Sequence, residues 1–295
     1  MRTTTTSHRS LLIAAGFLTT ALTAAAQSTI SPTDKYAYSA NAGWIDFRTS
    51  SSDGVRVADT FLSGFAYGAN FGYLSLGAFT GPTNGHTFSN TTATDYGVNL
   101  SPTGLLTGYA YAPNLGYIQF EQTLGQPKLN LLTGVFTGHA YSANVGWIAL
   151  ATPLSILATT TLYRPDTDGD GIPDDWEYLY FNNLTTANAT TDRDGDGASD
   201  LAEYNAGTVP TDRTSRLRIT AHTYNPTYTA ATLTWTTVPT RRYRLEYDTD
   251  LLGIWTNSTL VTFDPDAGAT SVRTLTPLAS TPRRYFRAVA IQPLP

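Results

Sequence analysis

The sequence predicts a mainly β chain in three parts: an N-terminal β-hairpin repeat domain, a short loop–helix spacer and a C-terminal β-sandwich. Three observations carry the prediction. A frame of aromatic residues with Asn and Gly recurs four times in the first half. Two acidic twelve-residue loops, each followed by a short helical pattern, occupy 166–212. Strand signals then recur at regular spacing to the end of the chain. The expected divisions are 1–26, 27–158, 159–165, 166–212 and 213–295.

Residues 1–26 read as a secretory signal peptide. Arg2 and Arg9 supply a basic start, Leu11–Thr23 a mostly apolar core, and Ala24-Ala25-Ala26 small residues before Gln27. A membrane anchor is the competing reading, but the run is short and rich in Thr for a span. Export places the protein outside the cell, in the periplasm or at the cell surface. The chain has no cysteine, so rigidity there must come from its core or from metal rather than from disulfides.

The repeated frame is Ala-Tyr-x-x-Asn-x-Gly-(Trp/Tyr)-(Ile/Leu)-x-(Phe/Leu), in Tyr36–Phe47, Phe65–Leu76, Tyr109–Phe120 and His139–Leu150. Each copy predicts a β-hairpin whose turn uses Asn and Gly, residues that tolerate positive φ. Period-2 alternation puts Ile45, Leu74, Ile118 and Ile148 on one face. Trp44, Tyr73, Tyr117 and Trp147 fall on the other, half-exposed face, where Tyr38, Tyr67, Tyr111 and Tyr141 pair with them across the turn. An aromatic ladder of this kind either stacks on polysaccharide or holds neighbouring repeats together. The repetition favours packing, with Trp44 and Trp147 holding the repeats together through cross-strand contacts. His86 and His139 lack metal-ligand spacing and read as structural. The frame resembles the AWSxNxGWI-type repeats of exported bacterial proteins, and the likeness covers roughly residues 35–150.

The acidic loops are DTDGDGIPDDWE (166–177) and DRDGDGASDLAE (192–203), offset by 26 residues. Acids stand at positions 1, 3, 5 and 9, Gly at 6 and Glu at 12. A hard cation taking six to eight oxygens needs this arrangement, with a main-chain carbonyl from position 7 and a bidentate carboxylate from position 12. The expected ligands are Asp166, Asp168, Asp170, Ile172, Asp174 and Glu177 in one site. Asp192, Asp194, Asp196, Ala198, Asp200 and Glu203 form the other. The expected cofactor is Ca²⁺, at two sites. Between 165 and 212 ten Asp and two Glu face one Arg, a balance of −11 against −5 for the whole chain. A solvated acidic tail explains that charge but not the repeated spacing.

Short helices follow each loop, over Pro173–Tyr180 and over Ser199–Ala206 with Gly207 as the stop. No helix enters either loop, so these are loop–helix units rather than full EF-hands. Position 8, Pro173 and Ser199, is also unsuited to the bridge that pairs EF-hand loops. The two motifs resemble bacterial thrombospondin type-3-like calcium repeats, which implies structural calcium in an extracellular spacer. Dockerin modules share the tandem loop–helix form, but they end the loop with Asp rather than Glu177 or Glu203.

In the last part strands are expected over Leu217–Thr223, Ala231–Thr237, Arg242–Asp248, Ser258–Phe263, Ser271–Pro277 and Arg284–Ala290. The segments 233–235 (LTW), 243–247 (YRLEY) and 285–290 (YFRAVA) resemble strands B, C and F of a fibronectin type III-like sandwich. Residues 214–295 carry nine Arg against five acids, which suits an acidic partner or simply a charged exterior.

Catalytic patterns are missing. There is no thiol, the His residues are scattered, and no G-x-S-x-G, H-E-x-x-H or phosphate-binding glycine pattern occurs. Together the readings imply a secreted, non-enzymatic calcium-binding protein acting by adhesion or ligand binding at the cell surface or in the extracellular matrix. Its ligand would be a protein or a polysaccharide, with no nucleic acid and no span in the mature chain. The alternatives are a glycan-binding or glycan-cleaving protein with its site in the repeats, or a dockerin-like docking module.

Overall fold

Every copy of the frame closes one two-stranded hairpin, and the four hairpins join edge to edge. The computed structural model describes residues 27–50, 52–79, 83–249, 252–253, 255–257, 261–276, 284–292 and 294. The expected signal peptide, residues 1–26, lies outside them, as do 258–260 and 277 of the expected C-terminal strands. The strands of the first half are β1 (Ile30–Ser39), β2 (Gly43–Asp46), β3 (Val55–Val57), β4 (Phe61–Gly68), β5 (Gly72–Ser75), β6 (Val98–Leu100) and β7 (Leu106–Ala112). They continue with β8 (Gly116–Phe120), β9 (Lys128–Leu129), β10 (Phe136–Thr137), β11 (His139–Ser142), β12 (Gly146–Ala149), β13 (Ala151–Thr152) and β14 (Ser155–Thr159). Antiparallel pairing runs β1-β2-β4-β5-β7-β8-β11-β12 and returns from β12 to β1, so the hairpins close an eight-stranded barrel.

Closure follows from the side chains the frame repeats. Across each hairpin an Ala faces a large aliphatic residue: Ala37 with Ile45, Ala66 with Leu74, Ala110 with Ile118, Ala140 with Ile148. All eight are buried inside the barrel. Eight strands leave an interior that side chains just fill, and alternating small and large residues suits its taper. Below this tier β3, β6, β9, β10 and β14 extend the wall, and Val55, Leu106, Leu129 and Phe136 continue the same core.

The frame Asn does not take the turn conformation expected of it. Positive φ falls on Gly43, Gly72, Gly116 and Gly146, and not on the Asn two residues earlier. Each Asn instead reaches the neighbouring hairpin. Asn70 Nδ2 donates to Ala42 O (3.1 Å), Asn114 to Phe71 O (2.9 Å), Asn144 to Leu115 O (3.0 Å) and Asn41 to Val145 O (3.2 Å). These four bonds form a ring around one mouth of the barrel. The residues whose carbonyls accept them pack into that mouth, three buried and Val145 partly so. The largest, Phe71, requires Gly68 beside it, since a Cβ there would lie 2.2 Å from its ring.

The aromatic ladder lies on the outside. Tyr38–Trp44, Tyr67–Tyr73, Tyr111–Tyr117 and Tyr141–Trp147 sit directly across their hairpins with centroids 4.7, 5.2, 5.0 and 5.0 Å apart. The expected cross-strand pairing is therefore present. The rings lie on a half-exposed face, as the alternation implies, and not in a buried cluster: Trp44 is 45% and Trp147 42% exposed. The apolar face of the hairpin packs inward, which leaves the aromatic set to solvent. His86 stacks on Phe79 at 4.0 Å within a cluster that includes Phe61 and Phe88.

Two helices follow, α1 (Asp174–Phe181) and α2 (Asp200–Ala206). Asn182 and Gly207 end them in the left-handed conformation, and the Ser199 hydroxyl caps α2 by accepting from Ala202 N. Among the described residues no helix is long and apolar enough to cross a membrane. The last strands are β15 (Ile219–Tyr224), β16 (Ala231–Thr236), β17 (Arg242–Asp248), β18 (Thr256–Asn257), β19 (Thr270–Leu275) and β20 (Tyr285–Ile291). They form two three-stranded antiparallel sheets, β15-β16-β19 and β18-β17-β20. Leu233, Trp235, Tyr243, Leu245 and Leu275, drawn from both sheets, share one buried cluster. Leu294 returns to the barrel and packs into its core.

Inside and outside positions of one hairpin should differ in cost. Ile45→Ala is expected to lower unfolding stability by about 3 kcal/mol and the half-exposed Trp44→Ala by about 1 kcal/mol. Asn114→Ala, which leaves Phe71 O without its donor, should also cost about 1 kcal/mol. Urea denaturation of the three variants checks the order.

Candidate metal centre

The two acidic loops fold alike, bond by bond. In the first, Asp166 Oδ1 accepts from Gly169 N (2.7 Å) and Oδ2 from Gly171 N (3.0 Å), while Asp170 Oδ1 accepts from Ile172 N (2.8 Å). In the second, Asp192 Oδ1 accepts from Gly195 N (2.8 Å) and Oδ2 from Gly197 N (2.9 Å), while Asp196 Oδ1 accepts from Ala198 N (2.8 Å). Glycine is needed at position 4 as well as 6: Gly169 and Gly195 have φ of 76° and 71°, Gly171 and Gly197 of 93° and 96°. The position-4 glycines stand beside the position-6 glycines in both DxDGDG runs of the sequence.

These turns gather carboxylates. Asp166, Asp168 and Asp170 offer oxygens within 4.8 Å of one another, and so do Asp192, Asp194 and Asp196. Each triad can hold a metal ion. Glu177 and Glu203, in the first turns of α1 and α2, are both fully buried. Both oxygens of Glu177 lack a hydrogen-bond partner, as do Glu203 Oε2, Asp170 Oδ2, Asp194 Oδ2 and Asp196 Oδ2, all buried. Glu203 Oε1 accepts from Thr208 Oγ1 at 3.1 Å. Buried carboxylate oxygens without donors are costly unless a cation takes them. An all-oxygen set of this kind suits a hard ion rather than a thiophilic one.

Position 9 is occupied differently. Asp174 accepts from Thr167 N (2.7 Å) and Thr167 Oγ1 (2.6 Å), so both its oxygens are turned to the loop backbone and hydroxyl. Asp200 accepts from Arg193 N (3.3 Å) and from the Thr191 hydroxyl. These two acids, grouped with the ligands by spacing, stand apart from the gathered set and brace position 2 or the approach to the loop. Ile172 and Ala198 hold position 7, and the Ile172 side chain is buried against Ala187 and Tyr204.

The electrostatics follow from the crowding. Burial first, and then the neighbouring Asp168 and Asp170, push Glu177 up to about 8. Burial, followed by Asp194, Asp196 and Asp200, pushes Glu203 up to about 7 against the pull of Thr208. Asp170 and Asp194 are also raised, chiefly by desolvation. Spacing alone did not reveal the basic residues that dock onto the second loop. Arg213 Nη2 donates to Gly195 O and Arg216 Nη1 to Asp196 O, both at 2.8 Å.

The centre lies between the two β units. Asp175, next to the ligand-bearing turn of α1, accepts from Gly85 N of the barrel at 2.7 Å. Arg241 from the last part donates to Tyr204 O (2.9 Å) and Asn205 O (2.8 Å), the open carbonyls at the end of α2. No family model, curated protein or solved structure matches this chain.

The raised glutamates set a pH dependence with a definite sign. Without metal, folded Glu177 and Glu203 hold protons more tightly than the ordinary carboxylate near 4.5 in the unfolded chain. The folded state then binds more protons between about pH 4.5 and 8, so its stability falls as pH rises through that window. A bound cation requires the deprotonated form and should flatten or reverse the slope. Melting temperatures from pH 5 to 8, in chelator and in millimolar calcium, test both signs.

Proposed function

We propose that the chain is a secreted, non-enzymatic protein whose two acidic loops bind Ca²⁺, and that it acts by adhesion or ligand binding at the cell surface or in the extracellular matrix. One observation carries the calcium reading: each Asp triad lies beside a fully buried Glu with at least one oxygen lacking a hydrogen bond. Asp side chains from positions 1, 3 and 5 and a carboxylate from 12 make an oxygen set that suits Ca²⁺. Geometric latitude also favours it, since Mg²⁺ demands a near-ideal octahedron and keeps most of its waters. The charge of −11 in this segment adds a reason for a divalent counter-ion.

Calcium here is read as a structural joint. The cluster around Ile172, Ala187 and Tyr204 is small and cannot by itself offset the ordering of so long an irregular segment. Extracellular calcium modules bind at roughly 10⁻⁴–10⁻³ M, and ten times that concentration adds about 1.4 kcal/mol per site. The strand order of the last part supports the fibronectin type III-like reading: the LTW segment lies in β16, while YRLEY in β17 pairs with YFRAVA in β20. That arrangement suits a binding or spacer module rather than an enzyme.

Calorimetry should find two calcium sites, with Glu177→Gln and Glu203→Gln each removing one. Small-angle scattering should show a larger and more flexible particle in chelator than in millimolar calcium. No calcium heat, or an unchanged maximum dimension, would count against the joint.

A second reading draws on the exposed aromatic pairs around the barrel, which favour a stacking surface for polysaccharide over a buried structural role. A glycan array probed with the full chain should then give signals that Trp44→Ala and Trp147→Ala abolish while the melting temperature falls only slightly.

A further inference from the structure

A cleft of about 710 Å³ opens where the barrel, the two helices and the C-terminal sheets meet. Its volume lies within the range typical of small-molecule sites, which favour interfaces between structural units. The barrel contributes Lys128 and Leu131, the helices Trp176, Leu179 and Tyr204, and the last part Arg241. The walls are thus largely apolar and aromatic. Leu179 is 65% exposed at the rim, an aliphatic side chain left open where the rest of α1 packs down.

The charges on these walls are unequal. Three cations reach the cleft, Arg164, Lys128 and Arg241, against two acids, Asp59 and Asp175. Arg164 Nε lies 3.0 Å from each oxygen of Asp59, so this pair neutralises itself. Asp175 Oδ1 accepts from Gly85 N while its Oδ2 has no partner, so this acid keeps one negative charge against the two remaining cations and the balance favours the cations by one. Among the described residues neither Lys128 nor Arg241 has a carboxylate within ion-pair distance. Arg241 donates to Tyr204 O and Asn205 O at the end of α2 and to Thr240 O and Oγ1, all uncharged acceptors that offset only part of a full cation. Lys128 pairs through its main chain with Thr137, and the residue is exposed.

We propose that this cleft binds a small organic anion with an apolar or aromatic body, the anionic group drawn to Lys128 and Arg241 and the body lying against Trp176 and Leu179. Charge complementarity selects the anion, and the aromatic wall selects the body. The inference names a ligand class for the ligand-binding reading above and rests on it. It also links the two sites, because α1 carries Trp176 and Leu179 on either side of the buried Glu177.

Two fluorescent probes that share one skeleton separate charge from hydrophobicity. These are 8-anilinonaphthalene-1-sulfonate and N-phenyl-1-naphthylamine, which lacks the sulfonate. With the calcium-loaded full chain, the sulfonate should bind at least tenfold tighter than its neutral analogue. Lys128→Glu should weaken the sulfonate at least tenfold and leave the neutral probe nearly unchanged, while Leu179→Asp should weaken both. Both substituted side chains are exposed, and an unchanged circular dichroism melt confirms folding. Equal affinity for the two probes, or sulfonate binding that survives both substitutions, overturns the proposal. Calcium titration of the same samples separates the two readings. Two calcium ions bound with no probe affinity overturns the cleft alone. Probe affinity with no calcium bound supports the cleft and overturns the calcium reading.

Discussion

Two buried carboxylates set the terms for the middle of this molecule. Glu177 and Glu203 have no exposed surface, stand in the first turns of their helices and face triads of further carboxylates. A negative charge in that position benefits from the helix dipole, but only by a fraction of a kcal/mol up to about 2 kcal/mol. The desolvation of an uncompensated carboxylate is larger, several kcal/mol after relaxation. Dipole and hydrogen bonds therefore lose, and the group must take either a proton or a cation. The upward shifts of both glutamates express the first choice, and the converging unpartnered oxygens express the second.

The barrel solves its closure without such a constraint. Its devices are steric and neutral: Ala against Ile or Leu inside, a glycine in each turn, and an amide-to-carbonyl bond from every hairpin to the next. The last of these uses a buried or half-buried main-chain acceptor that would otherwise go unpaired at the barrel mouth. Because the bonds run 41 to 145, 70 to 42, 114 to 71 and 144 to 115, each repeat is both donor and acceptor. A repeat protein that closes on itself needs no capping unit, unlike an open array.

This distinction explains what could be read from the residues. Hairpins, their inward and outward faces and the loop–helix units follow from local spacing, since period 2 and the loop positions are fixed within a dozen residues. Closure into a barrel does not, because Tyr38 pairing with Ala149 joins positions far apart in the chain. The Asn was legible as an invariant of the frame within this one sequence, but its partner lies on another copy. The aromatic rings stand on the half-exposed face that the alternation assigns them. Position 9 of the loops gave the sharpest contrast. Asp174 and Asp200 share the spacing of the triads, yet their oxygens accept from Thr167 and from Thr191 and Arg193, which spacing does not reveal.

The three parts meet at Arg164, immediately before the first loop. Its Nε lies 3.0 Å from both Asp59 oxygens on the barrel, and its Nη1 donates to Gln292 Oε1 (3.0 Å) and Leu294 O (2.7 Å) of the last segment. Tyr204 of α2 donates to the same Gln292 oxygen at 3.2 Å. A guanidinium suits this place because its donors lie in one plane and can serve several acceptors at once, whereas an ammonium presents a single point. The pair with Asp59 is partly buried, so its screening is incomplete and its direction matters more than its strength. Arg164 therefore fixes where the acidic segment leaves the barrel, and Arg241 fixes where its last helix ends. Between those two anchors the loops bring each Asp triad together, an arrangement that can hold a metal ion.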